Sequence, residues 1–163
     1  MSDTVQRLVG CVAIGAVLGL SLSPAQACTR VLWNDNTLAV VSGRSMDWPE
    51  STEPKLVVFP RGMLRSGSNV GPEVLVKDNA ATWTSKYGSM VTTVYGIGAV
   101  DGLNERGLGA HLLYLTATDF GPRDASKPGM AVTLWAQYAL DNAATVAEAL
   151  ALLDGVQIVM AEA

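Results

Sequence analysis

Cysteine and histidine are almost missing from this chain: its 163 residues include two cysteines and one histidine. Cys11 lies within an apolar leader, so a processed chain retains Cys28 alone and can form no internal disulfide. One histidine and one cysteine cannot supply the usual zinc ligand set. Any Cys–His dyad would have to use His111, which alternates with its neighbours in an apolar strand, where a packed histidine is the ordinary case. Positive charge is scarce as well. Eleven Lys and Arg against fifteen Asp and Glu give a net charge of −4, and with no basic run this excludes a nucleic-acid footprint. A transmembrane anchor is the poorer reading of the apolar run from Leu8 to Leu22, which falls short of the ~20 residues needed and contains Gly10, Gly15 and Gly19. Gly96-Ile97-Gly98 fails the dinucleotide fingerprint, because Asp101 stands where a later glycine is required.

What the chain does have is an export signal with a cysteine directly behind it. Arg7 supplies the positive start, Leu8 to Leu22 the apolar stretch, and Ala25-Gln26-Ala27 the small-x-small site cut by a signal peptidase. Residues 1–27 are therefore expected to be a signal peptide, leaving residues 28–163 as one modest domain. Cleavage after Ala27 places a thiol and a free α-amine on the same residue, Cys28. With an unperturbed pKa of about 8, that amine is a usable base near neutral pH, and a nucleophile paired with its own N-terminal amine is a recognised catalytic device. The rival reading is a lipid-anchored, non-catalytic exported binding protein acylated at Cys28. It fits less well, because Ala25 is a weak match to the lipidation pattern and Gln26 is a wrong one.

Residues 29–33 and 37–43 read as strands around a turn at Asn34-Asp35-Asn36. A two-residue turn sets Cys28 opposite Gly43, and a three-residue turn sets it opposite Ser42. Either register brings Arg44-Ser45-Met46-Asp47-Trp48 towards Cys28. Residues 55–59 form a short strand, 64–72 an exposed loop, and Trp83 opens another strand region. Residues 88–100 are β-like, with Gly88, Gly96 and Gly98 at bends or close approaches. Residues 101–107 form a hairpin connection before a strand over 108–115. Residues 130–140 read as a helix apolar nearly all round, and so buried. Thr145 with Glu148 marks a capping box, Gly155 a left-handed helix stop, and Val156 to Met160 a last strand.

Arg44 and Asp47 are the notable charges near Cys28. A guanidinium favours the thiolate, and a carboxylate can hold the α-amine. Residues three apart on a flat strand point to opposite faces, so both can serve one site only if the chain bulges or turns after Gly43. Trp48, Phe59, Met63 and Tyr114 are candidate walls for an apolar acyl pocket.

Together, Cys28-Thr29-Arg30 behind a leader, Gly43-Arg44-Ser45-Met46-Asp47-Trp48, Trp83-Thr84-Ser85-Lys86-Tyr87-Gly88 and Asp101-Gly102-Leu103-Asn104-Glu105-Arg106-Gly107-Leu108 resemble the choloylglycine hydrolase family, which includes penicillin V acylases and bile salt hydrolases. The resemblance implies an α+β fold, the αββα sandwich of N-terminal nucleophile hydrolases, and hydrolysis of a linear amide without a cofactor. It assigns Cys28 as nucleophile with Arg44 and Asp47 beside it, and Met46, Trp48 and Tyr114 to substrate binding. An aromatic residue at Tyr114 leans away from bile salts. The Trp48 motif and leader resemble the periplasmic Gram-negative branch, which cleaves penicillin V or acyl-homoserine lactones. A small-molecule N-acyl amide is the implied partner, and a tetramer the implied assembly at full length. Family members run about twice as long, so the sandwich is expected to be incomplete at its C-terminus. The strand near Val156 is then expected to lack a partner, and an inactive truncated fragment is the third reading.

Overall fold

The computed structural model describes residues 28–115 and 117–160, so the expected leader lies outside the described residues. The chain divides into two compact units, one ending at Asp47 and one beginning at Trp48.

The first unit is an antiparallel hairpin of β1 (Arg30–Trp33) and β2 (Val41–Arg44), with Leu32 opposite Ser42, Val31 opposite Gly43 and Arg30 opposite Arg44. This overturns the expected register: Gly43 faces Val31 rather than Cys28, because β2 starts at Val41 and not at Thr37. Asn36 is the cause. Its Oδ1 accepts from Leu38 N (2.8 Å) and Ala39 N (2.9 Å), while its Nδ2 donates to Ala39 O at 2.7 Å. A side chain that satisfies its neighbours' backbone groups offers them an alternative to the ladder, so residues 37–39 stay in the connection.

The second unit is built around a four-stranded antiparallel sheet. Its strands are β3 (Lys55–Phe59), β8 (Ser89–Val94), β9 (Gly98–Asn104) and β10 (Gly109–His111), in the spatial order β10-β9-β8-β3. Residues 64–72, expected as loop, contribute β4 (Leu64–Ser66), paired with β7 (Thr82–Thr84), and β5 (Asn69–Val70), paired with β6 (Glu73–Val74). Ladder bonds are made by the backbone, so polar side chains did not prevent pairing. The expected connection over 101–107 shrinks to Glu105–Gly107, with Asp101–Asn104 still in β9. Buried Asn104 closes this turn. Its Oδ1 accepts from Arg106 N and Leu108 N, both at 3.0 Å, and its Nδ2 donates to Leu140 O and Ala143 O at 2.8 and 2.7 Å.

The expected helix from Met130 begins later. Gly129–Ala131 is strand β11, followed by a 3₁₀ turn over Val132–Leu134 and then α1 (Trp135–Asn142) and α2 (Val146–Asp154). The backbone around β11 is committed to neighbours, with Gly129 N donating to Asn79 O (2.8 Å) and Ala81 N to Gly129 O (2.7 Å). The last strand, β12 (Gln157–Val159), is not partnerless as expected: it pairs in parallel with β11, Met130 opposite Ile158. Helix α2 starts with the expected cap, Thr145 Oγ1 accepting from Glu148 N at 3.2 Å, but the return bond of the capping box goes from Ala144 N, not Thr145 N, to Glu148 Oε2 at 2.8 Å. It does not stop in the left-handed region, since Gly155 has φ −81° and its N–H bonds back to Leu152 O.

Helix α1 covers one face of the sheet, joining Ala136 and Leu140 to Val91, Ala99 and Ala110 in a buried cluster. Close approach explains Gly102: a Cβ there would lie 2.6 Å from Val91 Cγ1 and 2.7 Å from Leu140 Cδ1. Leu56, Val58, Met90 and Leu103 are exposed; alternation along the strands sets them on the opposite face.

Candidate active site

In the first unit β2 ends at Arg44, three residues before Asp47. Ser45 then joins the two ends of the hairpin. Its N–H donates to Thr29 O at 2.9 Å, and its Oγ accepts from Thr29 N at 3.1 Å and lies 3.1 Å from Asp47 Oδ2, to which it donates. A hydroxyl can accept one bond and donate another, so Ser45 links the residue next to Cys28 to the Asp47 carboxylate. Arg44 Nε donates to Ser45 O at 3.1 Å. Cys28 is a free, half-buried thiol. Met46 is exposed beside these residues in sequence. The sequence reading missed Ser45; a hydroxyl between two site charges was the available signal.

The second unit carries Trp48 and Tyr114, whose rings meet edge to face at 85° with centroids 5.6 Å apart. Trp48 Nε1 donates to Tyr95 Oη at 2.7 Å, and Tyr95 Oη donates to Glu50 Oε1 at 2.8 Å. Desolvation first, and then the Glu50 carboxylate, push the Tyr95 phenol above its usual range, so it stays protonated at neutral pH and can donate. Tyr95 and Glu50 were also missed, since nothing in their spacing marks them.

Phe59 and Met63 do not join this aromatic pair. Phe59 packs against the core cluster under the Arg65 guanidinium, 4.4 Å from the ring centroid, and Met63 Sδ lies 3.7 Å from Arg65 Nη2. His111 sits opposite Asp101 across β9 and β10, its Nδ1 2.8 Å from Asp101 Oδ1. Among the described residues there is no group of three His, Cys, Asp or Glu side chains able to hold a metal ion. No helix among them is long and apolar enough to cross a membrane.

The family model described as linear amide C–N hydrolases, choloylglycine hydrolase family, matches residues 28–163. A penicillin V acylase of Pectobacterium atrosepticum is 37% identical over 155 residues, which covers 88% of this chain and 39% of that protein. The structure of penicillin V acylase from Agrobacterium tumefaciens superposes with a TM-score of 0.70 at 38% identity, covering 82% of this chain and 40% of that one. A mutant of conjugated bile acid hydrolase from Clostridium perfringens gives a TM-score of 0.62 at 23% identity, with 81% and 39% covered, a likeness of fold alone. This chain therefore spans about two fifths of the length of these relatives.

Proposed function

The chain belongs to the choloylglycine hydrolase family of linear amide C–N hydrolases, and on that premise we propose that it cleaves an N-acyl amide with Cys28 as an N-terminal nucleophile. One observation carries this reading: the family match begins at Cys28, the residue that cleavage behind Ala25-Gln26-Ala27 would expose. The proposal includes export to the periplasm and the αββα sandwich as the full-length architecture.

In the proposed reaction the Cys28 α-amine takes the thiol proton and the thiolate attacks the amide carbonyl. The resulting α-ammonium then protonates the leaving amine as the tetrahedral intermediate collapses to a thioester. Water, deprotonated by the same amine, hydrolyses the thioester and frees the acid. Arg44 favours the thiolate by its charge, and Asp47, braced by Ser45, steadies the ammonium. By the family resemblance, Trp48 and Tyr114 are assigned to the acyl group and Met46 to substrate binding. Aromatic walls suit an aryl acyl group such as phenoxyacetyl, with a β-lactam amine or a homoserine lactone as the leaving side.

The test is the intact mass of chain recovered after export, followed by exposure to a phenoxyacetyl aryl ester. The expected result is a chain starting at an unmodified Cys28 that gains one phenoxyacetyl group, and a Cys28→Ser chain that gains none. Equal labelling of both chains, or a retained leader, would overturn the reading. A diacylglycerol adduct on Cys28 would replace it with the lipid-anchored binding protein.

A further inference from the structure

We infer that Tyr95 is a positioning residue which, braced by Glu50, fixes the Trp48 indole as a wall for a flat aromatic acyl group. The inference rests on the reading that Trp48 and Tyr114 bind the acyl group, and it names what holds that wall in place.

Two independent observations support it. The first is directional bonding. Tyr95 Oη accepts from Trp48 Nε1 at 2.7 Å and donates to Glu50 Oε1 at 2.8 Å, so indole, phenol and carboxylate form one polar chain. The indole is fixed along its N–H edge, while Tyr114 meets its ring plane at 85°. Despite this fixing, Trp48 and Tyr114 remain 41% and 53% exposed. One ring is fixed by a hydrogen bond, the other meets it edge to face, and both keep exposed surface that a flat ligand could cover.

The second observation is backbone conformation. Tyr95 and Gly96 are the central residues of the β8–β9 turn, closed by Ile97 N donating to Val94 O at 3.0 Å, and both have positive φ, +51° and +67°. Such turns favour Asn, Asp or Gly at the first central position, and an aromatic side chain there is strained. Tyr95 N also donates to Thr52 O at 2.8 Å, pinning the turn to the segment that carries Trp48 and Glu50. Strain of this kind persists where the surroundings over-determine it, and it clusters at functional sites.

The two observations make opposite demands on position 95, and the experiment uses that conflict. Phenoxyacetate is titrated into the full chain by calorimetry, with hexanoate as the alkyl control and the melting temperature recorded for each variant. Tyr95→Phe removes only the hydroxyl and is expected to weaken phenoxyacetate binding about three- to tenfold, the range of one lost hydrogen bond, while hexanoate changes less than twofold. Glu50→Gln moves phenoxyacetate in the same direction by less. Tyr95→Asn relieves the turn, so its melting temperature holds or rises while phenoxyacetate binding falls at least as far as in Tyr95→Phe. If Trp48→Ala loses phenoxyacetate while Tyr95→Phe binds it like wild type, the positioning role is refuted and the aromatic wall stands. If wild type does not bind phenoxyacetate, or Trp48→Ala binds it unchanged, the underlying reading fails as well.

Discussion

The hairpin of β1 and β2 and the sheet backed by α1 are both antiparallel β-structure, yet they differ in almost every other respect. Every residue of β1 is exposed, including Val31, Leu32 and Trp33, whereas β9 and β11 are largely buried, and Val91 of the sheet and Leu140 of α1 are completely buried. A two-stranded hairpin is marginal in water, and a sheet packed on a helix is not. The proposed nucleophile and its charged neighbours belong to the sparsely packed unit, and the ring pair Trp48 and Tyr114 belongs to the densely packed one. Stability and proposed chemistry are therefore separable by mutation in this chain.

The largest expected effect tests the packed unit. Asp141 is fully buried, and its carboxylate accepts from Trp83 Nε1 and Gln137 Nε2, both at 2.7 Å. Arg65 Nε lies 2.8 Å from the same carboxylate, off the N–H axis, so this contact is an ion pair without an aligned hydrogen bond. Asp141→Ala strands a mostly buried guanidinium and an indole N–H, and is expected to cost about 3–5 kcal/mol by urea unfolding. A loss below 1 kcal/mol would mean that water replaces the carboxylate and that the unit is looser than its burial implies.

A paired substitution compares the two regions directly. Leu140→Ala removes a fully buried side chain from beneath Gly102 and is expected to cost about 2–5 kcal/mol. Leu32→Ala removes a side chain that is 52% exposed and is expected to stay within about 0.5 kcal/mol. Equal costs in the same unfolding experiment would break the contrast, because they would show that the hairpin is covered in solution.

The sequence was most legible where a signal is local. The Thr145 cap and the strand at 55–59 follow from neighbouring residue types and hold in the structure. Long-range pairing was illegible. Met130 reads as helix by periodicity, but it pairs with Ile158 across 28 residues of sequence, and only that partner makes Gly129–Ala131 a strand. The hairpin register failed for another reason: the Asn36 side chain competes with the ladder, and a composition-based turn assignment does not count side-chain bonds to the backbone. In the candidate site, the residues whose chemistry is intrinsic, Cys28, Arg44 and Asp47, could be named from sequence. Ser45, Glu50 and Tyr95 act through geometry, and their roles appear only once Thr29, Asp47 and Trp48 are located.

The smallest predicted effect concerns the turn that ends β9. Glu105 Oε1 accepts from Gly88 N at 3.0 Å, and Oε2 accepts from Arg61 Nη2 at 2.5 Å. The Gly88 backbone bond first, and the Arg61 guanidinium after it, hold the Glu105 carboxyl below its ordinary value of 4.5 against an opposing desolvation. A carboxyl depressed in the folded state binds its proton more readily once the chain unfolds. Its contribution is therefore complete above the unfolded pKa and disappears as pH falls through the folded one. Glu105→Gln keeps an acceptor for Gly88 N–H and removes only the charge. Its melting temperature should lie slightly below wild type at neutral pH, and the gap should close as pH drops below about 4.5. The exposed Arg61 share of that gap should shrink in molar salt, while the Gly88 share persists. A gap that widens in acid would reverse the sign of the shift, and would place Glu105 with the groups that destabilise the packed unit when charged.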